Sequence, residues 1–397
     1  MEASQNRRDL TSLPTEIKLL ITSHLGHASS EPPSGIPQIP RVLSNSGTRA
    51  SSPLKTLSLV TQEWRTLLRP TILSHVLVPI LPVADTGANS AATTRLRMAL
   101  KSTAARLPSH LPSRISSLTI YIPTTFSPSS GAALRNSAQH TTDIITMHDF
   151  WASLFQRFDP LRLAIHAPPC VLGWLTTNVP ATEDAWAFPS MNLQLLELTQ
   201  PFHLPTQPKT EVSTETSAWD TQYLFCARPW SSVRLVEGSM MQAYGVYEYF
   251  HKRPPTVLGG LCLPRGETIK AFSDCVLFPF STHVDQLQLA CLSAYRSVHF
   301  HFSPAPNERV LDDPRVVGKA DLSDCWREME QIYKRAVSAQ PLSPLFAPGA
   351  ALREFSTGDY SVASIRELLD GEFAQHAAAG WRAVGEGRWV LTPEQEC

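Results

Sequence analysis

The stretch ISSLTIYIP at residues 115–123 decides how the larger part of this chain is read. Ile115, Leu118 and Ile120 make an apolar-x-x-apolar-x-apolar pattern, and Pro123 closes it three residues later. A short apolar run with alternation, stopped by proline, reads as a strand. The pattern returns at Pro160, Leu163, Ile165 with Pro168, and at Leu193, Leu196, Leu198 with Pro201. It continues at Trp230, Val233, Leu235 with Gly238, and at Leu258, Leu261, Leu263 with Gly266. Val284, Leu287, Leu289 and Tyr295, Val298, Phe300 keep the apolar part without the terminator.

The central residues are spaced 45, 33, 37, 28, 26 and 11 apart, and all but the last leave room for a crossover helix back to a parallel strand. Helical spacing does occur between them. Residues 141–158 place Met147, Trp151, Leu154, Phe155 and Phe158 on one face, and residues 239–251 do so with Met240, Tyr244 and Tyr247. Strand-helix alternation with right-handed crossovers stacks into an α/β solenoid, so residues 113–397 resemble a degenerate leucine-rich-repeat array, a horseshoe of irregular repeats. The repeats vary in length and lack the asparagine ladder of well-formed members. On this reading Leu118, Leu163, Leu196, Val233, Leu261 and Leu287 form one buried row of successive parallel strands. Arg162, Ala164, Gln194, Arg234 and Gln288 then line the opposite face. An α/β domain of another topology is the rival, and antiparallel hairpins or a closed pocket would mark it. Helices over 322–340 and 361–379, with a closing strand at 388–391, would cap the array.

Ahead of this domain lies a split helical motif, LPTEIKLLITSHL at 13–25 and LKTLSLVTQEWRTLLRPTIL at 54–73. Ile17, Leu20, Ile21, His24 and Leu25 share one stripe, as do Leu57, Val60 or Thr61, Trp64, Leu67 and Leu68. Pro14 suits a first helical turn and Glu16 complements its unpaired N–H groups. Helices this short are marginal alone, so their stripes need burial against each other or a partner. The order "LP-x-E-I … L-x-x-L-x-L-V-x-x-x-W-R-x-L" resembles the F-box, whose helices dock on the Skp adaptor of a cullin–RING ubiquitin ligase. That resemblance implies an adaptor-binding set of Leu13, Pro14, Ile17, Leu20, Ile21, Leu54, Leu57, Leu59, Val60, Trp64 and Leu67. The family usually joins the two halves by a few residues. Here residues 26–53 intervene, and fifteen of those 28 are Ser, Pro or Gly, which predicts a disordered insertion. A polar tail at 1–12 and a linker helix at 89–107, carrying Leu96, Ala99, Leu100 and Leu107, complete the domain plan.

Lys plus Arg number 34 against 35 Asp plus Glu, so the net charge of −1 gives no reason to expect nucleic acid or an anionic membrane. Residues 41–157 hold twelve basic and four acidic side chains, whereas 300–397 hold ten and fifteen. These read as solvated faces first. No run approaches eighteen apolar residues and the first ten are polar, so a cytoplasmic or nuclear setting is expected. Seven cysteines without a C-x-x-C pair predict reduced thiols rather than disulfides or a zinc site.

Nucleophile elbow, phosphate-loop, HExxH and dinucleotide motifs are missing from the sequence. His299 and His301 share a strand face and would need a third ligand, with Asp312, Asp313 or Asp321 as candidates, before a metal could bind. The alternation of Val298, Phe300 and Phe302 explains those histidines without one. No catalytic residue, cofactor or metal is therefore expected. The function implied is that of a substrate receptor in a Skp–cullin–F-box ubiquitin ligase, binding an unknown protein target through the C-terminal domain. A non-ligase F-box scaffold, or an enzyme with an unrecognised site, are the alternatives.

Overall fold

The computed structural model describes residues 13–27, 53–82, 92–107, 114–126, 137–178, 180–201, 223–261, 268–280, 282–283, 287, 289–304 and 309–392. The tail at 1–12, most of residues 26–53, residues 127–136 and 202–222, and Gln288 lie outside them.

The domain is mixed α/β, built on an open ten-stranded sheet in the order β1-β2-β3-β4-β5-β6-β7-β8-β10-β9. These are β1 His75–Pro79, β2 Arg114–Tyr121, β3 Asp159–Ala167, β4 Gln194–Thr199 and β5 Ser232–Ser239, then β6 Ala271–Leu277, β7 Ser297–His301, β8 Glu354–Thr357, β9 Trp381–Gly385 and β10 Arg388–Leu391. Chain order and spatial order coincide from β1 to β8. β1, β2 and β3 are parallel, as are β5 through β8. β4 runs against both its neighbours, and β10 runs against β8 and β9.

The reversal of β4 corrects the expectation of uniformly parallel strands: the 26 residues between β3 and β4 are enough for a crossover, but they form only short helical turns. The helix Pro169–Leu175 after β3 has seven residues and advances about 10 Å, against roughly 30 Å for the nine-residue β3. The chain therefore enters β4 where β3 ended, with Ala167 opposite Gln194. Leu261 and Leu287 need a second correction. Both are buried, but Leu261 ends the helix Leu258–Leu261 and Leu287 is helical, while the strands there are β6 and β7. Leu118, Leu163, Leu196 and Val233 sit in strands and are buried as expected.

Crossover helices pack on one face of the sheet. Helix α4, Ala92–Ala105, contributes Leu96 and Leu100, and α5, Ser137–Arg157, contributes Trp151, Leu154 and Phe155. The helices Leu322–Val337 and Ala363–His376 add Met329, Ile332, Tyr333, Ile365, Leu369 and Phe373 to the same core. At the closing end Phe373 stacks on Trp389 with ring centroids 4.3 Å apart. Residues 239–251, expected as one helix, form two 3-10 turns, Met241–Gly245 and Tyr247–His251. Gly245 has no room for a Cβ, which would lie 2.9 Å from the Lys319 side chain.

The N-terminal residues form α1 Thr15–His27, α2 Pro53–Leu57 and α3 Gln62–Leu73. The second half of the motif was expected as one helix, but Thr61 divides it. Its extended backbone starts α3, and its hydroxyl accepts a hydrogen bond from the Trp64 N–H at 3.2 Å. Leu54, Trp64 and Leu68 make a small core of their own, separate from that of the sheet.

Candidate functional site

The helical cluster turns Lys18 and Thr22 inward, so the α1 stripe of Ile17 and Leu20 faces away from the described chain. Lys18 pairs with Glu63, and its ammonium lies 5.8 Å from the centre of the Trp64 ring. A charged residue closes the core where the pattern suggested apolar burial. Of the residues implied for adaptor binding, Leu54 and Trp64 lie in the cluster's core, and Leu13, Ile21, Leu57 and Leu67 are half-buried. Pro14 is exposed, and Ile17 (43%), Leu20 (56%), Leu59 (74%) and Val60 (58%) present large apolar surface. Monomer surfaces carry isolated apolar side chains routinely, and these four on one small helical cluster make it a candidate contact surface.

The second surface is the sheet face opposite the crossover helices. Pairing aligns Ala164, Glu197, Arg234, Ser273, His299 and Ser356 across β3 to β8. Strand alternation puts all of them on the face away from the main core. Beside this polar row, Ala164, Leu195, Val236 and Cys275 form an apolar cluster that draws nothing from any helix. Arg162 reaches Glu197 at 2.5 Å, Arg234 Nε donates to Cys275 Sγ at 3.5 Å, and His299 Nδ1 lies 3.0 Å from Ser356 Oγ. At the β1 end His75 Nδ1 is 2.7 Å from Ser117 Oγ. Arg162, Ala164 and Arg234 thus occupy the expected face. Gln194 does not: it is fully buried on the core side, where its Nε2 donates to Pro255 O at 2.7 Å.

His299 belongs to the open face, and burial pushes its pKa down to about 4, with His301 and Arg234 adding repulsion. Burial and Arg162 also lower His75. An unfolded histidine binds its proton near ~6.5. The stability that neutral His299 contributes is therefore present above that value and lost as pH falls from about 6.5 through 4. Between pH ~7 and ~5 the wild type should lose about 2 kcal/mol more than His299→Gln, since the other titrations are common to both. Denaturant unfolding at the two pH values checks this, and equal losses in the two proteins would contradict it.

Among the described residues, His299 and His301 are not joined by Asp312, Asp313 or Asp321 into a ligand set. The grouping of metal-ligating side chains lies elsewhere, at Glu237, Asp274 and His283, all at 0% exposure. Glu237 sits in a bulge of β5 between Val236 and Gly238. Gly238 makes the bulge possible with φ +102°, and a Cβ there would come within 2.5 Å of Ser190 O. Asp274 projects to the core side of β6, its pKa raised to about 6 by burial and by Glu237. Burial lowers that of His283, but the two carboxylates outweigh it and bring it to about 10. No spacing motif connects these three residues, so sequence reasoning passed over them.

Among the described residues Cys275 and Cys325 are buried free thiols. Among the described residues no helix is long and apolar enough to cross a membrane. No family model, curated protein or solved structure matches the chain.

Proposed function

We propose that this chain is a non-catalytic receptor subunit of a Skp–cullin–F-box type ubiquitin ligase. Helices α1 to α3 hold the Skp adaptor, and the open face of an irregular leucine-rich-repeat-like solenoid holds a protein target. The exposure of Ile17 and Leu20 on α1, and of Leu59 and Val60 in the turn between α2 and α3, around a cluster that already buries Leu54, Trp64 and Leu68 carries this reading. A helical cluster with its own core can afford apolar residues outside only where a partner covers them. The strand order supports the solenoid, because laying strands side by side in chain order with helices on one face is what repeat stacking produces. The antiparallel β4 counts against it, since such pairing marks the rival topology, so the solenoid proposed is one interrupted at β4.

A receptor acts by proximity, raising the effective concentration of target lysines near the charged conjugating enzyme. An extended mixed surface suits a protein better than a small apolar ligand, which prefers a deep concavity. The enzyme reading draws on one observation, the perturbed acid at Asp274. Its cluster has no exposed side chain, so a substrate has no route to it without rearrangement.

Ile17→Asp and Leu59→Asp should each weaken adaptor binding about 30-fold or more, because each places a charge in a desolvated contact. Both positions are solvent-facing, so thermal unfolding should stay close to wild type. Unchanged adaptor affinity in both variants would overturn the docking assignment.

A further inference from the structure

Three side chains from separate segments meet in the core, in ionic contact with one another but with most of their polar atoms lacking a hydrogen bond. His283 Nε2 lies 3.0 Å from Glu237 Oε1 and 3.5 Å from Asp274 Oδ2. Neither approach has the alignment of a hydrogen bond. Both Asp274 oxygens, Glu237 Oε1 and both His283 ring nitrogens lack hydrogen-bond partners. One candidate ligand atom from each residue can be chosen so that all lie within 4.8 Å of one another.

A fourth group gives independent support. Gln194, also at 0% exposure, is held by its amide nitrogen between Pro255 O at 2.7 Å and Glu237 Oε2 at 3.4 Å. Its Oε1 has no partner. Buried orphan acceptors are rare in native cores because each forfeits its hydration without replacement. Four residues sharing one place with orphan atoms call for a common occupant.

Charge and spacing identify its class. Two ionised carboxylates beside a neutral imidazole need two positive charges to become neutral, and buried charge persists only when compensated. Two protons would supply these, but protons on imidazole and carboxyl would draw the atoms into aligned hydrogen bonds. A divalent ion bound at about 2.0–2.2 Å instead holds neighbouring ligands about 3.0–3.6 Å apart with no such alignment. The separations of 3.0 and 3.5 Å match that spacing. One nitrogen with carboxylate oxygens favours a borderline ion such as zinc over calcium or magnesium, which take oxygen alone.

We propose that Glu237, Asp274 and His283 form a closed structural site for a divalent transition ion of the zinc class, with Gln194 beside Glu237. The ion would tie the bulge of β5, the centre of β6 and the segment after β6, where the His283 backbone N–H donates to Phe280 O at 2.9 Å. With every ligand side chain buried, no coordination position opens to solvent, which fits a structural rather than a catalytic role.

The test uses the full chain, produced with zinc and dialysed to remove the free ion. Elemental analysis should find one zinc per chain, and a strong chelator should lower the unfolding temperature by about 3 °C. Asp274→Asn and His283→Gln should lose the zinc. If those variants fail to fold, wild-type protein reloaded with cobalt(II) decides. Visible absorption of a low-coordinate site without a thiolate charge-transfer band supports the assignment, whereas a thiolate band moves the metal to the cysteines and overturns it. Zinc-free protein whose unfolding temperature ignores both zinc and chelator, or folded variants that keep wild-type zinc, would overturn it as well.

Discussion

Replacing Asp359 with alanine should destabilise the domain by about 3–5 kcal/mol, the cost of removing one member of a buried charged network. The carboxylate is fully buried just after β8 and accepts from Phe302 N at 2.7 Å, Ser303 N at 3.0 Å, Ser303 Oγ at 2.8 Å and Tyr333 Oη at 2.6 Å. It joins the end of β7 to the helix Leu322–Val337, so alanine strands donors from two elements at once. Each buried donor left alone costs about 1–3 kcal/mol. Asp359→Asn should be milder, since it keeps the volume and one acceptor oxygen. Denaturant midpoints with an unchanged slope measure both effects, and a loss below about 0.5 kcal/mol for the alanine variant would refute the role given to this residue.

Trp64→Ala should cost about 3–5 kcal/mol as well, but at a different place. Trp64 is 1% exposed at the centre of the Leu54, Trp64 and Leu68 cluster, and Lys18 rests over its ring. That cluster is distinct from the sheet's core, so the loss should unravel α1 to α3 while leaving the sheet's own transition in place. Limited proteolysis should cut the variant, and not the wild type, rapidly within 15–25 and 54–73 and spare the sheet. Wild-type resistance there would show that Trp64 does not hold the helices together.

How much was legible follows from what each segment's chemistry records. Around Leu118 and Leu163, alternating apolar residues ended by proline locate β2 and β3 because one face is core and the terminator cannot join a ladder. The same template misfired at Leu258 and Leu261, whose spacing of three also fits one helical turn. It passed over β6, where Asp274 occupies a core position between Phe272 and Val276. The direction of β4 was unreadable, since alternation is identical for a strand read either way.

The candidate surfaces divide similarly. The helices of the N-terminal motif were visible, yet Lys18 facing inward was not, because a lysine in a periodic pattern is assigned to solvent and here finds Glu63 and the Trp64 ring. Arg162 and Arg234 were found on the open face because they flank central apolar residues. Gln194 was misplaced because it lies two residues from Leu196 and so shares its core side. Glu237, Asp274 and His283 come from three segments brought together by a bulge and a loop, a convergence that no spacing records.

The account stands or falls on the N-terminal helices as a docking surface. Calorimetric titration of the full chain with a purified Skp-type adaptor tests this most directly. A one-to-one complex with a dissociation constant below about 1 µM is the predicted result. The absence of any heat or complex at adaptor concentrations of about 100 µM would contradict it.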